Sequence, residues 1–253
     1  MKIRVFEAFA GYGSQAMALE RLKQDYPEFD YEVVGISEID KYALQAYEAV
    51  HGHCPNYGDV SKIDWTQVPD FDLFTYSSPC QDYSQAGLQK GGEEGSGTRS
   101  SLLWECRKAI LIKKPKYLLM ENVKALVSKK FKAQFNKWVE ELESYGYSSK
   151  WAVLNSKSFG VPQNRERVFL VSILGDETFN FPQPFPLERR LKDVLESNVD
   201  EKYYLSDKLI TSLMQDCGGV KGMRPSTPPH DGIASCLLAR YHKMGRTDNY
   251  IQD

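Results

Sequence analysis

The sequence predicts an α/β fold, a mostly parallel sheet covered by helices on both faces. Three observations predict it. Short apolar runs of strand character alternate with amphipathic helical stretches over the first two-thirds of the chain, and strands joined through helices run parallel and need cover on both sides. A glycine turn, Gly11-Tyr12-Gly13, stands where the first strand gives way to the first helix. Two acids, Glu38 just past the second run and Asp59 before the third, lie near strand ends, where open α/β sheets bind ligands.

Residues 3–9 form the first expected strand and 14–23 a helix with Ala16, Leu19 and Leu22 on one face. A second strand is expected over 31–37, then a helix through Tyr42, Leu44 and Tyr47, then a third strand over 71–76. Residues 102–112 read as helix, 117–120 as a fourth strand, 131–145 as helix, and 151–154 and 167–174 as further strands. The character changes near Phe179. Phe181-Pro182-Gln183-Pro184-Phe185-Pro186 cannot continue a sheet, because proline lacks the ladder donor. Residues 1–178 are therefore read as one large domain, and the turn-rich stretch 179–253 as a linker and the start of a small second domain.

With 253 residues, 42% of them hydrophobic and 26% charged, the composition is that of an ordinary globular protein. No stretch is apolar for long enough to cross a bilayer, and Met1-Lys2-Ile3-Arg4 leads into a strand rather than a signal peptide, so a cytoplasmic protein without membrane attachment is expected. The five cysteines are widely spaced and form no CxxC pair, which suggests neither a metal site nor a disulfide framework. The net charge of −2 does not advertise a nucleic-acid binder, yet phosphate contacts depend on local clusters of Lys and Arg rather than on the total.

The turn Phe9-Ala10-Gly11-Tyr12-Gly13-Ser14 lets backbone approach a ligand at a helix N-terminus. Dinucleotide enzymes and plain tight turns share a GxG, so the turn alone decides nothing. Glu38 is placed to accept from ribose hydroxyls, and Asp59 from an adenine amino group.

After the third strand comes Ser77-Ser78-Pro79-Cys80-Gln81-Asp82-Tyr83-Ser84. This Pro-Cys-Gln at a strand end, followed by an aromatic and Ser, resembles the catalytic signature of the cytosine-C5 DNA methyltransferases. Glu121-Asn122-Val123, Gln163-Asn164-Arg165-Glu166-Arg167 and the opening Phe9-Ala10-Gly11-Tyr12-Gly13 match further signatures in the family's order, over residues 3–174. The resemblance implies a Rossmann-like class I methyltransferase sheet with a small, partly present target recognition domain. It implies S-adenosylmethionine as methyl donor, leaving S-adenosylhomocysteine, with Phe9, Ala10, Gly11, Gly13, Ser14, Glu38, Ile39, Asp59, Val60 and Leu102 around it. It implies duplex DNA as partner, in a restriction–modification or phage setting.

The residue types suit that chemistry. Cytosine C5 is a poor nucleophile until a thiolate adds at C6, and Cys80 supplies a thiol that ionises usefully near neutral pH. Pro79 fixes the backbone before it, and Gln81 completes the signature. Charge pushed into the ring collects at N3 and O2. Glu121 is the candidate donor to N3, with Asn122 supporting it or the backbone, and Arg165 and Arg167, the latter the stronger match, are candidates to hold O2. Cys54, Cys106, Cys217 and Cys236 are expected to be small buried hydrophobes. The glycine-rich stretch 85–99 reads as a lid over an extruded base.

Beyond Phe181, Arg189, Arg190, Lys192, Lys221, Arg224, Arg240, Lys243 and Arg246 are interleaved with Tyr203, Tyr204, Tyr241 and His242, a mixture suited to phosphate contact and stacking. Two departures from the family are tolerable in size: Ser14 where glycine is usual, and Ser77-Ser78 before Pro79. The family's further C-terminal signatures find no match before Asp253. A missing segment or a second polypeptide is then expected to complete the fold, or the chain is a decayed copy. Two other functions stay open: the same chemistry on tRNA, and a catalytically silent DNA-binding subunit.

Overall fold

The structure, a computed structural model, describes residues 2–79, 99–214, 227–237 and 248–251. Cys80, Gln81, the expected lid up to residue 98, Cys217 and the basic residues Lys221, Arg224, Arg240, Lys243 and Arg246 lie outside them. The chain divides into two units, Met1–Val153 with Arg167–Phe181, and Leu154–Glu166 with Pro182–Asp253.

In the first unit, β1 (Lys2–Ala8), α1 (Ser14–Asp25), β2 (Asp30–Ser37), α2 (Lys41–His51) and β3 (Leu73–Tyr76) follow one another. Then come α3 (Cys106–Lys113), β4 (Tyr117–Val123), α4 (Lys132–Ser144), β5 (Tyr147–Asn155) and β7 (Glu166–Leu174), the short β6 (Gln163–Asn164) intervening in the second unit. The sheet runs β2-β1-β3-β4-β7-β5. β2, β1, β3 and β4 are mutually parallel, and β7 lies antiparallel to β4. It is an open, Rossmann-like sheet with helices between its parallel strands.

Local chemistry sets the elements. Asp40 caps α2, its carboxylate accepting from the backbone N–H groups of Tyr42 and Ala43 at 2.8 and 3.0 Å. α3 ends where Lys114 turns left-handed before Pro115, which disfavours helix in the residue preceding it. α4 buries Phe135, Trp138 and Leu142, spaced to share one face.

Three expected boundaries moved. The expected helix 102–112 begins as a 3₁₀ turn, Arg99–Glu105, and becomes α-helical at Cys106, as 3₁₀ turns often do at helix N-termini. β4 continues to Val123 because β7 pairs with it throughout, so Glu121 and Asn122 are strand residues. β5 starts at Tyr147, its opening masked in sequence by Ser148, Ser149 and Lys150.

The main core is aromatic. Phe6 packs on Trp65, Phe71 and Phe74, and Phe74 stacks on Tyr76. Trp138 is fully buried edge-on to Tyr76 and Trp104, its indole N–H donating to the Tyr76 hydroxyl at 3.2 Å. The second unit contains the two-stranded parallel pair β6–β8 (β8, Ala234–Ser235) and α5 (Asp207–Met214). Among the described residues no helix is long and apolar enough to cross a membrane.

Trp138→Ala should lower the unfolding free energy by about 3–5 kcal/mol, read as a lower midpoint in urea. A loss under about 1 kcal/mol would mean that this indole does not hold α4 to the sheet.

Candidate active site

Ser37 pairs with Ala8, Ala8 with Tyr76, and Tyr76 with Met120. These four residues form one row across the parallel strands. Everything that follows each of them therefore emerges at the same edge of the sheet: Glu38 after β2, the glycine turn after β1, Ser77-Ser78-Pro79 after β3, and Glu121-Asn122 at the end of β4.

The turn after β1 is a strained one. Phe9, Gly11 and Gly13 have φ of 58°, 59° and 81°, a left-handed conformation that costs a bulky residue such as Phe9 energy. At Gly13 a side chain would also collide with the rings of His51 and Tyr47. At Gly11 an added Cβ would meet nothing within 4 Å, so this glycine faces open space. Gly13 has no side chain with which to cap α1. The fully buried Glu7 does that work, accepting from the Ala16 N–H at 3.0 Å and the Tyr47 hydroxyl at 2.7 Å. Burial pushes the Glu7 carboxyl above its ordinary value, against the opposing pull of these hydrogen bonds.

Glu38 is tied to the same turn. One carboxylate oxygen accepts from the Gly11 N–H at 2.8 Å, and the other from the Ile39 and Asp40 N–H groups at 2.8 and 2.7 Å. Asn56 braces Glu38 from behind, accepting from its N–H and donating to its carbonyl at 3.0 and 2.9 Å, and it also accepts from Gly58 N–H. Asp59 starts the short helical turn Val60–Lys62, accepting from Ser61 N–H and hydroxyl at 3.0 and 2.8 Å; these bonds hold its carboxyl below the ordinary range. Ile39 is 77% exposed, whereas Val60 is buried in the main core and Leu102 packs partly buried against it. Ser14 donates to Gln15.

The turn that leads to Cys80 is held from both sides. Gln15 donates to the Ser77 hydroxyl at 3.0 Å. The buried Asn122 amide donates to the Ser78 carbonyl and hydroxyl at 3.1 and 3.2 Å, while its oxygen accepts from Val123 N–H. Asn122 therefore secures the Pro79 turn. Arg167 forms an ion pair with Glu121 at 3.0 Å, both side chains partly buried; they are diagonal neighbours across the β4–β7 ladder.

Arg165 lies in the second unit. Its N–H donates to Asn155, its carbonyl accepts from Ser156 N–H, and its guanidinium donates to the Cys236 sulfur at 3.5 Å. Cys236 is thus half-buried beside a cation, not the buried hydrophobe expected of it. Cys54 and Cys106 are buried as expected, which pushes the Cys54 thiol up to about 11 and the Cys106 thiol up as well. Neither is a nucleophile near neutral pH. In the basic stretch, the Arg190 guanidinium donates to the Leu187 carbonyl and Lys192 pairs with Asp231, while Tyr203 and Tyr204 are exposed. Among the described residues no group of three His, Cys, Asp or Glu is placed to hold a metal ion.

Sequence reasoning passed over Glu7, Gln15, Asn56 and the two serines. Glu7 had a visible signal, a lone carboxylate inside the apolar run Val5-Phe6-Glu7-Ala8. The others are polar residues near loops, and nothing in their spacing marks them.

A sequence model of the C-5 cytosine-specific DNA methylases matches residues 3–219. The chain belongs to that family. It is 44% identical to the type II methyltransferase M2.ScrFI of Lactococcus lactis subsp. cremoris, over 85% of this chain and 74% of that one. It is 36% identical to the orphan methyltransferase M.Rho11sI of Bacillus phage rho11s, where 85% of this chain covers 48% of the relative. This C-5 cytosine methylase thus spans from about half to three-quarters of the length of such relatives. In fold it is similar to the Entamoeba histolytica methyltransferase EhMeth, with a TM-score of 0.75 at 23% identity, covering 96% of this chain and 73% of that one. It is equally similar to the S. pombe Dnmt2 methyltransferase, with a TM-score of 0.75 at 19% identity over 99% and 75% of the two chains.

The buried Glu7 gives the methylase a pH dependence of known sign. Because the folded carboxyl is raised, the folded chain keeps a proton that the unfolded chain releases. The stability this adds is full below the ordinary carboxylate value and is lost as pH rises through the folded value. Glu7→Gln should therefore flatten the fall in stability above the ordinary carboxylate range, in urea unfolding at a series of pH values. An unaltered slope would contradict the assignment.

Proposed function

We propose that this C-5 cytosine methylase transfers a methyl group from S-adenosylmethionine to C5 of a cytosine turned out of duplex DNA, through a Cys80–C6 adduct. The observation that carries the reading is the single row of strand ends, with the Ser77-Ser78-Pro79 turn clamped between Gln15 of α1 and Asn122, the neighbour of Glu121.

The residues present fit an adenosyl ligand. Gly11 leaves open space beside the turn. The Glu38 carboxylate uses three of about four acceptor sites on backbone N–H groups, which fixes its direction and leaves capacity for a ribose hydroxyl. Ile39 offers an exposed apolar face to the adenine, and Asp59 an oxygen to its amino group. S-adenosylmethionine, when bound, supplies an electrophilic methyl group.

The protein's own part begins with the Cys80 thiolate, which forms a bond to C6 and pushes an electron pair toward C5. Glu121 provides a proton to N3 as charge collects there, and Arg167 fixes where its carboxyl points. Arg165 and Arg167 hold O2. Once the methyl group has moved to C5, leaving S-adenosylhomocysteine, the C5 proton passes to water, the N3 proton returns to Glu121, the C6–S bond breaks, and Cys80 recovers its thiolate. Pro79, Gln81 and Asn122 keep that sulfur in place, and residues 179–253 serve as part of the target recognition region.

The family description and the type II and orphan methyltransferases among the relatives support duplex DNA as the substrate and a restriction–modification or phage setting. The test is to map methylated cytosines in DNA from cells expressing the gene, with tRNA from the same cells as comparison. Cys80→Ser should lower methylation by more than about 10³-fold, with S-adenosylmethionine binding by calorimetry little changed. Loss of cofactor binding in that variant, or methylation of tRNA alone, would contradict the reading.

A further inference from the structure

The second unit contains one arrangement that cytosine chemistry alone does not require. β6 carries Gln163 and Asn164, the residues immediately before Arg165, and β8 runs parallel to it, with Gln163 paired to Ala234 and Asn164 to Ser235. Ala234 N–H extends the ladder by donating to the Pro162 carbonyl at 2.9 Å. On the other side of β8, the Asn249 side-chain amide behaves like a further strand, accepting from Ser235 N–H at 2.9 Å and donating to its carbonyl at 3.2 Å. The ladder brings Cys236 alongside Arg165. Its sulfur accepts from the guanidinium at 3.5 Å and its S–H donates to the Leu237 carbonyl at 3.6 Å. The Asn155 side-chain oxygen, accepting from Arg165 N–H, and Ser156 N–H, donating to its carbonyl, fix the backbone of Arg165, and the Ser156 hydroxyl also donates to the Gln163 carbonyl at 2.6 Å. The side chain has four flexible bonds beyond that backbone, and the Cys236 sulfur is a partner that helps direct its guanidinium.

We propose that the β6–β8 ladder and the Cys236 sulfur position Arg165, so that the segment assigned to target recognition also sets a residue of the chemistry. This rests on the functional reading above, in which Arg165 holds the base. Cys236 is a positioning residue: it acts through the guanidinium and touches no reacting atom. A cysteine suits the place because its polarisable sulfur accepts from a cation while its weak donor is satisfied by backbone.

The experiment uses purified wild-type chain and the variants Cys236→Ala, Cys236→Ser, Arg165→Ala and the double variant Arg165→Ala/Cys236→Ala. Cys236→Ala should lower kcat on the order of tenfold, since small misplacements of a catalytic group are costly, with KM for S-adenosylmethionine and the unfolding midpoint unchanged. Cys236→Ser, which keeps an acceptor, should recover most of the rate. In the Arg165→Ala background the Cys236→Ala change should have no further effect, because coupled residues are not additive. Asn249→Ala, which loosens the ladder without touching Arg165, should show the same loss of kcat without a change in cofactor KM.

A separate arm needs no activity. The alkylation rate of Cys236, mapped by mass spectrometry, should change at least about threefold in Arg165→Ala, since a thiol's reactivity follows its neighbouring charge. A kcat for Cys236→Ala within about twofold of wild type, or additive effects in the double variant, would overturn the proposal. So would an unchanged alkylation rate. A wild-type chain that methylates nothing removes the reading on which the proposal rests, and the proposal with it; the alkylation arm distinguishes that case from a misplaced contact.

Discussion

A site assembled from the ends of parallel strands has no rigidity of its own, and the buried amide of Asn122 supplies it. Its two bonds to Ser78 join the end of β4 to the turn after β3. That turn carries Pro79 and leads to Cys80. With the Gln15–Ser77 bond on the other side, one loop is fastened both to the helix that follows the glycine turn and to the strand that bears Glu121. These are hydrogen bonds between buried or partly buried groups, where losing one partner leaves the other unsatisfied at a cost of about 1–3 kcal/mol. The chemistry proposed for the loop is demanding in position, since in that reading a sulfur must meet one carbon of a ring while a proton donor meets its N3.

The cofactor end follows the same logic with different chemistry. Positive φ at Phe9, Gly11 and Gly13 turns the chain sharply out of β1. Two carboxylates fasten the turn: Glu38 from the front, through Gly11 N–H, and Glu7 from beneath, through the first turn of α1. Glu38 is only partly buried, so a ligand can reach its side chain. Glu7 is fully enclosed, so its role is structural and its proton affinity is raised. Two acids of like type thus differ in task because one is desolvated.

Much of this was legible in the sequence, and the reasons are specific. Alternation of strand-like and helical runs placed the strands of the parallel core, because a strand buried on both faces leaves a mostly apolar trace such as Leu73 to Tyr76. The family resemblance was legible in Pro79-Cys80-Gln81 and Glu121-Asn122-Val123, and the family match over residues 3–219 bears that resemblance out. What sequence could not yield depended on register. The diagonal meeting of Glu121 with Arg167 exists only because β7 turns antiparallel to β4. The role of Asn122 toward Ser78 depends on β3 and β4 ending in the same row. Cys236 was read as a buried hydrophobe because a lone cysteine usually is one, and only the β6–β8 pairing brings it beside Arg165.

The central claim is that one sulfur, held by this clamp, bonds to the pyrimidine. The most direct measurement uses duplex DNA carrying 5-fluorocytosine at the target position, incubated with the chain and S-adenosylmethionine. Fluorine at C5 cannot leave as a proton does, so the adduct cannot break down. The account predicts a single covalent protein–DNA species whose cross-linked peptide contains Cys80. A cross-link at another residue, or methylated normal cytosine with no trapped species on the fluorinated duplex, would contradict it.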